Sequence, residues 1–230
     1  MYFNKAVKSA MERMNVMASK CGAGSVFDLG MFPWISAVEG CFDDIVSELK
    51  LVMDCIDQVP QFDDISEKQG RLNRDKKWKT FVFSVFGEWI SNNCELCPKT
   101  ADALRKIPGI QNSMFSILEP GKYIPPHRGP YNGVIRYHLG LVVPRGDTCW
   151  IRVADRRMTW SEGESIVFDD TYEHEVKNGT SETRVVLFAD FLRPLGFPVN
   201  ILNEKFVGVI GRPYIAEGIE KISQVGRVHK

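Results

Sequence analysis

Between Met114 and Leu192 the chain is a succession of short β-forming runs: 114-MFSIL-118, 133-GVIRYHLGLVV-143, 149-CWIRVA-154, 165-SIVFDD-170 and 183-TRVVLFADFL-192. Pro120-Gly121, Arg145-Gly146-Asp147 and Glu162-Gly163-Glu164 punctuate them. Strands at this density, with no helical stretch between them, point to an antiparallel sandwich or barrel. The expected fold is therefore mainly β with helical extensions.

Helices are expected on both flanks. Phe3, Val7, Ala10, Met11, Met14 and Met17 recur at helical spacing, which reads as a packing stripe. A second helix should start near Pro33 and carry Ile35, Val38, Phe42, Ile45, Leu49, Val52 and Ile56 on one apolar face, with Pro60 closing it. Residues 61–79 are polar and read as a long irregular connection, and a short helix is expected over Lys99–Lys106. After Pro194 the pattern returns to a helix or two, ending in a basic tail where His229 is read as exposed and uninvolved. At 230 residues the chain fits one domain. Its expected parts are a helical segment over 1–77, the β core over 78–194 and an extension over 195–230.

A net charge of zero offers no global field to steer the chain to nucleic acid. No apolar run approaches the roughly 18–20 residues that span a bilayer, and MYFNKAVKSAMERMNVM lacks an apolar signal core. The expectation is a cytoplasmic protein with no integral membrane segment. Cys94 and Cys97 form a C-x-x-C pair, but no second pair or nearby histidine completes a zinc site, so reduced cysteines are expected. Arg71, Arg74, Lys76, Lys77 and Lys79 form one local basic cluster. It reads as a solvated surface segment, with a docking patch for an anionic substrate as the alternative.

The chemistry is concentrated in the strands. Alternation places Val134, Arg136, His138, Gly140 and Val142 on one face, and Arg184, Val186, Phe188 and Asp190 on one face of the later run. An arginine facing a barrel interior needs an anion, because a buried unpaired charge is costly. Two of them ask for a dianion or two carboxylates, which the guanidinium fork binds well. His127 and His174 stand at strand ends, and neutral imidazole is a good ligand for iron, zinc and copper.

From about Trp78 to Pro194 the sequence resembles the aspartyl/asparaginyl β-hydroxylase family, which includes bacterial lipid A acyl-chain hydroxylases. The residues that carry the resemblance are 94-CELCPKT-100, 116-SILEPGKYIPPHRGP-130, 136-RYHLGLVVP-144, 168-FDDTYEHEV-176 and 184-RVVLFAD-190. The resemblance implies a double-stranded β-helix (a cupin-like jelly roll) packed by N-terminal and C-terminal helices. It also implies an Fe(II)- and 2-oxoglutarate-dependent dioxygenase that uses O2. By motif position His127 and His174 look like the iron ligands, and Arg184 looks like the partner of the far carboxylate of 2-oxoglutarate. Trp78, Ser116, Arg136 and His138 sit where the family places further co-substrate contacts. Other readings of Ser116 and Trp78 are a strand hydroxyl and a core aromatic.

The usual facial triad has two histidines and a carboxylate. The carboxylate would stand at position 129, which is glycine here. Water could fill the open position and leave a hydroxylase; a halide could fill it and give a halogenase. Asp170, four residues before His174, is a candidate to orient the water, its other reading being a turn cap. The remaining alternatives are a non-catalytic metal-binding jelly roll and a zinc or nickel enzyme of another reaction type. A peptidyl, lipid acyl or small-metabolite substrate fits. Val134 stands where a peptide hydroxylase can carry a further arginine, which weakens the case for a peptidyl aspartate. The C-terminal extension could pack against a second copy to form a homodimer.

Overall fold

The computed structural model describes residues 5–65 and 67–225. Among the described residues ten strands form two antiparallel sheets. The larger runs β2(Glu88–Trp89), β1(Trp78–Val85), β3(Ile110–Leu118), β10(Arg184–Leu192), β5(Val134–Val142), β8(Ser165–Phe168) in spatial order. The smaller runs β4(Tyr123–His127), β9(His174–Asn178), β6(Cys149–Val153), β7(Arg156–Met158). From β3 onward the strands pass back and forth between the sheets, as they must in a jelly roll; the strand spacing pointed to an antiparallel sandwich or barrel, and the family resemblance to this jelly roll.

The period-2 alternation separates two cores. Ile135, Tyr137, Leu139 and Leu141 of β5, with Val185, Leu187, Ala189 and Phe191 of β10, face the helices. Their opposite faces carry Val186 and Phe188, which pack with Ile124, Ile151, Val176 and Phe168 between the sheets. Arg136, His138 and Arg184 belong to that inner face. Gly140 lies mid-strand because a Cβ there would fall 2.2 Å from the Ser161 carbonyl oxygen, where the chain crosses back toward β8.

The helices are α1(Lys5–Ala18), α2(Ile35–Glu39), α3(Phe42–Asp54), α4(Phe62–Ile65), α5(Ser91–Leu96), α6(Pro98–Arg105) and α7(Val199–Val225). The helix expected from Pro33 to Pro60 is two: it stops at Gly40, a poor helix residue, and restarts at Phe42 with Asp43 and Asp44 in its first turn. Pro98 opens α6, and the buried Glu48 of α3 accepts the Lys99 and Thr100 amides at 2.9 and 2.7 Å, capping it.

Two further expectations need correction. Residues 61–79 are not one loose connection: α4, a 3-10 turn over Glu67–Asn73 and the start of β1 lie there. β1 is buried on both faces, so it shows no polar alternation to betray it. The methionine stripe is not continuous either, because Met17 is 87% exposed. Phe3 and His229 lie outside the described residues.

Candidate active site

His127 ends β4 and His174 opens β9, directly across from each other in register, with ring centroids 4.1 Å apart. Each ring is held by its Nδ1, which donates to a backbone carbonyl, Pro125 at 2.8 Å and Tyr172 at 3.0 Å. A carbonyl only accepts, so both rings are locked in the tautomer that leaves Nε2 with its lone pair. His174 Nε2 is buried and has no hydrogen-bond partner. Burial, with the neighbouring His127 and Arg136 charges, drives the His174 pKa down to about 3, so the imidazole stays neutral as a metal ligand must. Among the described residues no third His, Cys, Asp or Glu completes a protein ligand set.

The two inward arginines have opposite surroundings. Arg136 donates through Nε to Asp190 Oδ1 at 2.8 Å and through Nη2 to Asp170 Oδ2 at 2.9 Å, and it stacks over Phe188. Its anions come from the protein, where the strand pattern alone left open an external one. Arg184 is 2% exposed, and among the described residues it has no carboxylate partner. Its guanidinium lies 4.7 Å from the Trp160 ring, its one hydrogen bond is a long 3.4 Å contact to the Ser116 carbonyl, and its Nε is orphaned. Burial lowers even this guanidinium to about 10. A cation so placed is stable only when an anion joins it.

The remaining sequence-selected residues gather nearby. Ser116, on the strand beside β10, accepts from Trp78 Nε1 at 3.1 Å, which leaves its own hydroxyl proton free to donate. Trp78 is thus one step removed from Arg184, stacked on Phe62 at 3.7 Å. His138 lies among Trp160, Phe168 and Phe188 with neither ring nitrogen partnered. Burial and the two arginines hold it well below the usual histidine range, so it is neutral.

Gly129 does not leave a void. A Cβ built on it would fall 2.2 Å from the Asp170 carboxyl carbon and both oxygens. The two residues are also tied by a 2.7 Å bond from Gly129 N to Asp170 O. Burial raises the Asp170 carboxyl to about 7, with Arg136 opposing. With Arg136, Arg184, Asp170 and Asp190 all ionised, the four side chains sum to zero. Sequence reasoning missed Asp190 as the second anion of Arg136 and Trp160 as the platform under Arg184. The first was findable, since Arg136 and Asp190 face the same way on strands that pair. The second comes from the irregular segment between β7 and β8 and carried no signal.

A family model described as Aspartyl/Asparaginyl beta-hydroxylase matches residues 39–194. An ornithine lipid ester-linked acyl 2-hydroxylase of Rhizobium tropici is 42% identical over 95% of this chain and 78% of its own length. A human aspartyl/asparaginyl beta-hydroxylase is 33% identical over 70% of this chain, which spans 23% of that longer protein. Among solved structures, a Schizosaccharomyces pombe Cnp3 cupin domain overlies 57% of this chain and 72% of its own at a TM-score of 0.36 and 11% identity. Among the described residues no helix is long and apolar enough to cross a membrane.

Proposed function

This chain belongs to the aspartyl/asparaginyl β-hydroxylase family, and from that premise we propose that it is an Fe(II)- and 2-oxoglutarate-dependent dioxygenase that hydroxylates a C–H bond in the acyl group of a lipid. The observation that carries the reading is the pairing of two locked, neutral histidines with one buried arginine that, among the described residues, lacks an anion. The donor set fits iron: Nε2 of His127 and of His174 are free to ligate. The lipid substrate rests on the named activity of the Rhizobium relative.

When bound, iron with 2-oxoglutarate and O2 supplies the oxidising power to break an unactivated C–H bond. The protein's own residues do the rest. Arg184 and the Ser116 hydroxyl hold the far carboxylate of the co-substrate, in a pocket whose Trp160 wall excludes water. His138, neutral between two arginines, has an N–H to give to the nearer end. Arg136 fixes Asp170 and Asp190 so that neither carboxylate swings toward the co-substrate. Asp170, in the space that Gly129 vacates, accepts a hydrogen bond from a water beside the histidines.

A halogenase reading gains nothing from Gly129. The space is filled by the Asp170 carboxylate, which repels a halide when ionised.

The decisive experiment is anaerobic titration of the Fe(II)-loaded protein with 2-oxoglutarate. The visible metal-to-ligand charge-transfer band is expected in the wild type and absent in His174→Ala. A folded, iron-loaded wild type with no band overturns the reading.

A further inference from the structure

The basic run from Arg71 to Lys79 is not a uniform solvated face. Lys76 pairs with Asp63, Lys77 Nζ donates to the Pro120 carbonyl at 3.0 Å, and Lys79 Nζ donates to the Ile56 carbonyl at 2.8 Å. Two acids of the same region, Asp63 and Asp75, are engaged as well. Asp63 also accepts from Asn73, and Asp75 takes the buried Lys122 ammonium. Arg71 and Arg74 are exposed, and neither has an acidic partner among the described residues.

The segment that carries Arg71 is anchored. Lys122, 1% exposed, donates to Leu72 O at 2.8 Å and to Asn73 Oδ1 at 3.1 Å. Leu72 itself packs with Ile124 and Val176 between the sheets. Lys122 immediately precedes β4, and His127 ends β4, so the turn lies along the strand that delivers the more open of the two histidines.

We propose that Arg71 is a recognition residue for an anionic head group, carboxylate or phosphate, on the lipid substrate. It holds the head at the rim of the barrel while the acyl tail enters toward His127 and His174. The proposal rests on the hydroxylase reading of those two histidines. Its chemistry is the planar fork of a free guanidinium, which suits either oxyanion bidentately and needs no desolvated acid to be displaced. Arg74, three residues further on and also exposed, serves as the control.

The test is equilibrium binding to the full-length protein, followed by tryptophan fluorescence, of three probes kept below their micellar concentrations: N-dodecanoylglycine, its methyl ester and dodecyl phosphate. Arg71→Glu should weaken at least one of the two anionic probes by about tenfold or more. Arg71→Lys should recover part of the loss, and Arg74→Ala should change little. The neutral ester should bind all variants alike. Loss for the glycine conjugate alone assigns a carboxylate head, and loss for the phosphate alone assigns a phosphate head. Equal binding of the anionic probes to wild type and Arg71→Glu overturns the proposal, as does an equal loss for the ester. The 2-oxoglutarate charge-transfer band is read on the same variants. Its absence from the wild type would sink the oxygenase reading, while the probe series still gives its own answer on Arg71.

Discussion

The carboxylate of Asp170 stands where a side chain on Gly129 would begin, 2.2 Å from an ideal Cβ. The two residues are 41 positions apart, since 170 − 129 = 41, and the fold makes them alternatives for one volume. An acid at 129 and an acid at 170 cannot both keep the present arrangement.

Gly129→Asp should therefore be damaging on its own. Asp170 is held by Arg136 at 2.9 Å and by its own backbone bond to Gly129, so moving it costs an ion pair as well as space. The expected loss is about 1–3 kcal/mol, the usual scale of overpacking. Adding Asp170→Ala should recover most of that stability and give tighter Fe(II) binding than the wild type, since a carboxylate then joins the two histidines. Thermal melts and iron titrations of both variants check this. A single variant as stable as the wild type would mean that Asp170 leaves its place freely.

Arg184 and Arg136 should respond in opposite ways to truncation. Arg184→Met removes a buried cation with no carboxylate partner, so stability without co-substrate should hold or rise, while the 2-oxoglutarate KM rises about a hundredfold. Arg136→Met leaves Asp170 and Asp190 without their cation and should cost about 3–5 kcal/mol. Chemical denaturation of the two variants side by side separates the roles; equal destabilisation would contradict them.

His174→Ala should abolish iron binding and turnover without unfolding the protein. The ring's Nδ1 bonds to its own loop, at Tyr172 O, and among the described residues its Nε2 has no partner to lose. Retained hydroxylation would remove His174 from the ligand set.

The metal-free protein should lose stability as pH falls below about 6.5. His127, His138 and His174 all have folded pKa values below the ordinary histidine value, His174 at about 3, so the unfolded chain binds more protons in that window. Stability from these residues is complete above 6.5 and falls through the window. Each contributes up to about 1.4 kcal/mol per pH unit. Asp170, raised to about 7, acts with opposite sign between 3.8 and 7, because there the folded state binds the extra proton. His138→Leu should flatten the acid side of the melting profile. An unchanged slope would mean that His138 is not buried neutral.

The sequence alone was enough for which residues share the inward face. Side chains alternate strictly along a strand, so Arg136, His138 and Arg184 had to share the face opposite Tyr137 and Leu187, and they do. A local rule of that kind needs no knowledge of partners. It was silent on β1, where burial on both faces erases the alternation, and on the break at Gly40, where apolar spacing continued across two helices. Only the tertiary structure decided which arginine keeps a free charge. Arg136 meets Asp190 across a strand pair and Asp170 from a loop, while Arg184 meets an indole. The same is true of Gly129: its missing side chain is visible in the sequence, but the acid that fills the space arrives from a turn distant in sequence. Electrostatics depends on distance through space, and that distance is set by how the sheets close, which no local pattern encodes.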